Sequence, residues 1–573
     1  MIKLGFKRFF KNPALLVISI IYLLFIAYIF IRKNCYEALD PFIVVMGLGQ
    51  ISFLFFLFVS YEYFCEAKRA KAEEVICVSA RGLHWYKTSG VYILLIIDCV
   101  VCLLFYFYPF IIILRLGIHN TNYMIFLGVG IVVFHFLVNF LAVLLSMAAS
   151  YMKSRTKGYC VLLFIYFVTS GHLMLLLQSY SSGNNLTYRL SDLLNLFNRE
   201  YSMMTDFYYI YSLEGVNFQR ILLWISLVML LLVLIMNTGK KKIVAVIPGV
   251  GLVLCTWLFF QPTSAVNLDL TVAGQDAWTY DMSYYQNKVD CMDMSMYKEA
   301  DFKAVHYQAV FDIQRELSGE VTVTVDKKNL NKYDFTLYHG YQVSDVTTQT
   351  GKKLPFIQEG DYISIDNATG GELEQIRFCY KGHCKRYYST NQGVFLPAYL
   401  AYYPMPGRRQ VYIVQYGYLG NTIDGLGYEA DFDIRLNIKN RIYSNLPVKD
   451  GNHICGKSDG ITLLCSQFAC ETRMKDCRII YPSLDLNVLQ SDWGKTNLEK
   501  FFSLFEHGLD SLAGKTIIVP PYINGDIYYF GKDHFIGSPG ALEMEYERYL
   551  QTGELYAFRS EEEIRKELEQ IEE

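Results

Sequence analysis

An aspartate inside an apolar run is the first residue in this sequence that invites a chemical reading. Asp98 is the lone charge in the stretch Thr88–Leu114. A carboxylate in such a place is costly and normally faces protein or water. His135 and Asn139, four residues apart in Asn122–Met152, share one face of a helix. With Asp98 they make a candidate polar pathway. The simpler reading is that Asp98 is a protonated partner joining two helices and that His172, after Gly171, is packing. A second group is Glu66, Glu73, Glu74 and Arg81, in the charged stretch 61–87. Its acidic and basic residues interspersed with Ala favour helix, and Ser79-Ala80-Arg81-Gly82 breaks it. Such a segment can meet a soluble partner, or it can be a solvated helical hairpin.

Other chemistries are poorly supported. Gly508–Thr516 reads GLDSLAGKT, with five residues between the glycines where a phosphate-binding loop has four, and it sits between a helix and a strand in the wrong order. The chain therefore carries no ATPase of its own. No His-Glu-x-x-His occurs, and no Ser/His/Asp or Cys/His arrangement is visible in its place. Of the 14 cysteines, Cys291, Cys379, Cys384, Cys455, Cys465, Cys470 and Cys477 lie beyond the apolar part. The close pairs Cys379–Cys384 and Cys465–Cys470 are candidate disulfides or buried thiols. Neither has metal-site spacing, so no metal is expected. A net charge of −3 argues against a nucleic-acid partner.

The elements that must position these residues divide the chain in two. Apolar residues make up 53% of it, and nearly all of the excess precedes residue 262. Seven stretches reach the roughly 20 residues that span a hydrocarbon core, or come close to it. They are Pro13–Ile31, Pro41–Ser60, Thr88–Leu114, Asn122–Met152, Gly158–Gln178, Ile221–Met236 and Ile243–Gln261. The first is too long for a cleavable signal. Lys7, Arg8 and Lys11, then Lys68, Arg69, Lys71, Arg81 and Lys87, then Lys153, Arg155 and Lys157, then Lys240, Lys241 and Lys242 fill alternate loops. Those loops are expected inside, which puts the N-terminus in the cytoplasm and everything beyond Gln261 outside. Ile2–Lys11 alternates basic and aromatic residues as an interfacial helix would. The apolar residues of 179–219 suggest amphipathic helices in the outer leaflet.

From residue 300 the pattern changes to period two. Val321, Val323 and Val325 alternate with threonines, as do Ile376, Phe378 and Tyr380, and Phe432, Ile434, Leu436 and Ile438, with turn residues between the runs. This predicts an antiparallel β domain over 300–482. A mixed α/β segment follows over 483–573, with a helix near Lys495–Leu512, strands at Thr516–Val519 and Ile527–Phe530, and a capping box at Ser560–Glu563. The expected fold is a polytopic α-helical membrane domain of about seven helices followed by an extracytoplasmic, mainly-β domain with a small α/β C-terminal segment. Residues 1–238 form a six-helix domain, 239–262 the seventh helix and 263–299 a linker.

Two resemblances bear on function. Lys7-Arg8-Phe9-Phe10-Lys11-Asn12-Pro13, the loop Glu66–Lys87 and the amphipathic stretch between the fifth and sixth spans resemble the ABC type-two exporter permeases over about residues 1–238. The seventh span departs from that family. AVHYQAVFDIQRELSGEVTVTV, Tyr402-Tyr403-Pro404 and Ser444-Asn445-Leu446 resemble the N-terminal β domain of the aminopeptidase N family of zinc peptidases over about 300–482. Gly540–Met544 (GALEM) resembles that family's substrate motif without its final Asn. The zinc motif is missing, so this resemblance implies a fold and no activity. The first implies the permease subunit of an exporter, with Glu66, Glu73, Glu74 and Arg81 coupling to an ABC ATPase that binds the ATP. The chain itself would be no enzyme and hold no cofactor. A homodimer or a heterodimer with a second permease would form the pathway in the membrane lipid of a bacterial cell, and a peptide or other amphipathic compound would be its cargo, in toxin export or self-protection. The alternative expectation is a membrane-anchored extracytoplasmic binding or sensory protein.

Overall fold

A computed structural model describes most of residues 2–170, 193–197, 215–235, 241–260, 284–285, 298–484, 514–520 and 529–537. The chain divides into two compact units, Met1–Met203 with Leu213–Gln261, and Met204–Ser212 with Pro262–Glu573. His172, the stretch 179–192, nearly all of the predicted helix near 495–512, the GALEM sequence, the capping box and Cys291 lie outside the described residues.

The first unit is helical. Helix α1 (Ile2–Lys11) leads into α2 (Pro13–Arg32). Asn12 caps α2 by accepting from the Ala14 amide at 3.1 Å, and Pro13 occupies the first turn, where its missing N–H costs nothing. The second apolar stretch is two helices, α3 (Asp40–Gly47) and α4 (Gly49–Arg69), meeting at Leu48. Helix α4 runs on past Ser60, so Glu62 and Glu66 belong to the apolar helix and not to a loop. A short α5 (Glu73–Cys77) precedes α6 (Gly82–Arg115). The fourth stretch comprises α7 (Thr121–Ile131), a π-helical segment Val132–Phe136 and α8 (Leu137–Ala149). Then come α9 (Arg155–Val168), α10 (Gly215–Ile235) and α11 (Lys241–Phe259).

Five described helices are long and apolar enough to cross a membrane: Pro13–Arg32, Asp40–Arg69, Trp85–Arg115, Thr121–Ala149 and Asn217–Ile235. This is the composition of a membrane-embedded part. The other two predicted spans are less complete. The fifth is helical over Arg155–Val168, and the apolar part of the seventh is the shorter Val244–Phe259. Asp40–Arg69 and Thr121–Ala149 have 67% of their apolar windows buried, against 17% for α2, so they form the centre of the unit. Ser146 on α8 donates to the Leu57 carbonyl of α4 at 2.8 Å. Gly158 lets α9 approach Tyr61, whose ring leaves no room for a Cβ.

The second unit is mainly β. A seven-stranded sheet has the order Val448–Lys449, His453–Ser458, Ala430–Asn437, Ala304–Ile313, Leu317–Val325, Gln375–Gly382, Tyr341–Thr348. The expectation of an antiparallel domain is corrected here. The central strands Ala304–Ile313 and Ala430–Asn437 are parallel, with Tyr307 opposite Phe432. Parallel neighbours need a long crossover, and the strands between these two supply it. Phe335, in a four-stranded sheet with Tyr362–Asp366, meets Phe378 of the large sheet with ring centroids 5.0 Å apart. The core is rich in tyrosine, and buried hydroxyls need acceptors. Tyr307 donates to the Pro404 carbonyl at 3.0 Å, Tyr380 to that of Tyr402 at 2.7 Å, and Tyr402 to that of Ile461 at 2.9 Å.

A further sheet crosses residue 482, where a domain boundary was expected. Ala469–Met474 and Cys477–Pro482 pair with each other, and Cys477–Pro482 continues into Thr516–Ile518, His534–Ile536 and Tyr529–Phe530. Part of the expected linker is also docked. Tyr284 stacks on His339 with ring centroids 3.8 Å apart, and Tyr285 donates to Asp361 at 2.9 Å.

Candidate functional site

The first candidate is a cluster of charges at one end of the helical unit. Arg8 of α1 donates to Glu66 of α4 at 2.7 and 3.1 Å and bonds the Tyr86 hydroxyl of α6. One turn earlier on α4, the buried Glu62 accepts from Arg155 and Tyr159 of α9, with Arg69 at 3.9 Å. Lys68 donates to the Met152 carbonyl at 2.8 Å, and Lys87 to Ser150 at 2.9 Å. Basic residues from the first, second and third of the expected inner segments thus meet at one place.

Glu66 is therefore committed to Arg8 and does not face outward as the coupling reading requires. The reason is helical spacing: Glu62 and Glu66 lie one turn apart on α4, where α9 and α1 supply the cations. The surface beyond them belongs to α5. Glu74 is exposed, and Val75 and Val78 are 74% and 86% exposed. The Glu73 side chain and Arg81 lie outside the described residues.

The second candidate is the interior of the same unit. Asp98 and Asn139 meet: Asn139 Nδ2 donates to Asp98 Oδ1 at 2.8 Å and to Ser52 Oγ at 3.0 Å. Ser52 also accepts from the Tyr22 hydroxyl at 3.0 Å, and Cys102 donates to Asp98 at 3.6 Å. His135 stays outside these bonds. The π segment carries it edge-on against Phe105, with centroids 4.6 Å apart. Cys102 was legible as one turn from Asp98. Tyr22, Ser52 and the Glu62–Arg155 pair were not, because they come from helices distant in sequence.

In the second unit Cys379, Cys384, Cys465 and Cys470 are thiols and not disulfides, the second of the two readings open for them, with Cys384 and Cys465 buried. Cys379 sits within the strand Gln375–Gly382, and Cys465 and Cys470 on separate strands in different sheets. An Asp–His–hydroxyl chain unseen in the sequence is present here. His534 Nδ1 is 2.7 Å from Asp533, and Nε2 is 2.9 Å from the Thr462 hydroxyl. Thr462 is fully buried and accepts from the Ala398 amide at 3.0 Å, so the chain joins strands and presents no nucleophile. Burial alone would raise the Asp533 carboxyl, but bonds with His534, Asn445 and Ser458 outweigh it and hold it below the ordinary value. A depressed acid stabilises the fold above its unfolded value of about 4 and loses that contribution as pH falls further. Thermal unfolding of the full chain should therefore show a loss of stability below about pH 4 that Asp533→Asn makes shallower. Equal slopes would contradict it.

No protein-family model matches the chain, and no curated protein matches it. Similar solved structures include an M1 zinc metallopeptidase from Deinococcus radiodurans, at 12% identity over 44% of this chain and 63% of that one, with a TM-score of 0.28. Native yeast LTA4 hydrolase is similar at 13% identity over 43% of this chain and 42% of that one, with a TM-score of 0.29. The chain spans less than two thirds of the length of either.

Proposed function

We propose that this chain is the membrane-spanning permease subunit of an ABC exporter, driven by a separate ATPase that docks on α5. The observation that carries this reading is the surface of α5. Two valines and Glu74 stand exposed beside a clamp that ties α1, α4, α6 and α9 together. Exposed apolar side chains at a charged rim are characteristic of a docking site. Force applied at α5 would reach α6 directly, and through the Arg8 and Glu62 bonds it would reach the central helix α4. In this reading the end that carries the basic cluster lies in the cytoplasm, with seven crossings and the β-rich unit outside, in a cell membrane of bacterial type. Two permease copies, or this one with a related subunit, form the pathway. The outer unit binds or guides a peptide or another amphipathic cargo.

Affinity purification from native membranes in mild detergent tests the docking. The wild-type chain should carry an ABC ATPase. Val75→Asp with Val78→Asp, and separately Glu73→Lys with Glu74→Lys, should reduce its recovery about tenfold, a loss of about 1.4 kcal/mol. Full recovery with both variants contradicts docking at α5.

A further inference from the structure

The interior of the helical unit holds a carboxylate with no cation among its bonded partners. Asp98 is fully buried, as are Asn139 and Ser52. Its partners Asn139 and Cys102 are both neutral donors, and both act on Oδ1. Among the described residues, Asp98 Oδ2 and Asn139 Oδ1 have no hydrogen-bond partner, and both are shielded from solvent. Two buried acceptors left without a donor make an incomplete network, which is worse than an apolar contact unless something fills it. A proton on Asp98 Oδ2 completes it. It removes the buried charge and turns an unpaired acceptor into a donor.

We propose that Asp98 and Asn139 form an exchangeable proton site, and that loss of the proton is linked to separation of α6 from α8. In the packed arrangement the site is neutral. Release leaves a carboxylate that neither Ser52 nor Tyr22 compensates, and that charge favours a conformation in which water reaches Asp98. Among the described residues, the titratable groups that act on it are Tyr22 from α2 and Cys99 and Cys102 from α6, and His135 lies one turn from Asn139 on the fourth stretch. Helices α4 and α8 present Ser52 and Asn139, which do not titrate. The adjoining π segment is a local irregularity of the kind often found at functional sites, and it gives the fourth stretch a place to rearrange. The site does not depend on the ATPase reading and stands or falls separately from it.

Infrared difference spectroscopy on the full chain in lipid bilayers, recorded as pH is stepped, tests the proposal. The wild type should show the carbonyl stretch of a protonated carboxylic acid that disappears reversibly as pH rises. Asp98→Asn should lack this band, and Asn139→Leu should move the pH at which it disappears. Absence of the band from the wild type at every pH overturns the proposal. So does a band that never responds to pH, which marks a fixed hydrogen bond, and so does a band abolished by sodium at constant pH, which marks a metal-cation site.

Discussion

Arg155→Ala is expected to destabilise the helical unit by about 3 kcal/mol, and Glu62→Gln by only about 1 kcal/mol. The two residues bond to each other, yet their surroundings differ. The Glu62 side chain is 6% exposed and that of Arg155 is 52% exposed. Removing Arg155 strands a buried carboxylate on the Tyr159 hydroxyl and on Arg69, 3.9 Å away. Removing the charge of Glu62 leaves an arginine that water can solvate at once. Thermal unfolding in mild detergent, followed by tryptophan fluorescence, distinguishes the two. Equal, small effects would show that the Glu62 bonds do not hold α9 to α4.

Gly382→Ala is expected to cost the β-rich unit about 3 kcal/mol or more, through backbone strain and overpacking together. Gly382 has φ +149°, a conformation that side chains rarely adopt, and a Cβ there would stand 2.0 Å from the Gly340 carbonyl oxygen. That oxygen belongs to the backbone beside Tyr341, which is paired with Gly382 in the sheet, so it cannot swing aside as a side chain would. The expected readout is a lower melting temperature with unchanged helical content by circular dichroism. A melting temperature within error of the wild type would mean that the strand end at Gly382 is free to shift.

Much of this architecture was legible in the sequence, and what was missed shares a physical cause. Hydropathy and period-two alternation depend on near neighbours, so the apolar helices and the strands around Val321, Ile376 and Phe432 were found close to their observed positions. Contacts between distant segments leave no such mark. The parallel pairing of Ala304–Ile313 with Ala430–Asn437 gives each strand the alternation that an antiparallel neighbour would, so the domain read as antiparallel. The break at Leu48 and the π turn at His135 change helix geometry without interrupting the apolar composition. Of the candidate interior site, Asp98 and Asn139 were recognised and do meet. Tyr22 and Ser52 carry no charge to draw notice, and only the fold brings them there. Glu66 read as an outward-facing acid, because nothing local announces that Arg8 folds back upon it.

The central claim is that an ATPase drives this chain through α5. ATP hydrolysis by the purified chain and its co-purifying partner, reconstituted in proteoliposomes, tests it most directly. Hydrolysis is expected in the wild-type preparation and is expected to be lost when Val75 and Val78 are both changed to Asp. A wild-type preparation that carries no ATP hydrolysis, but brings down a partner on the β-rich unit, would contradict it.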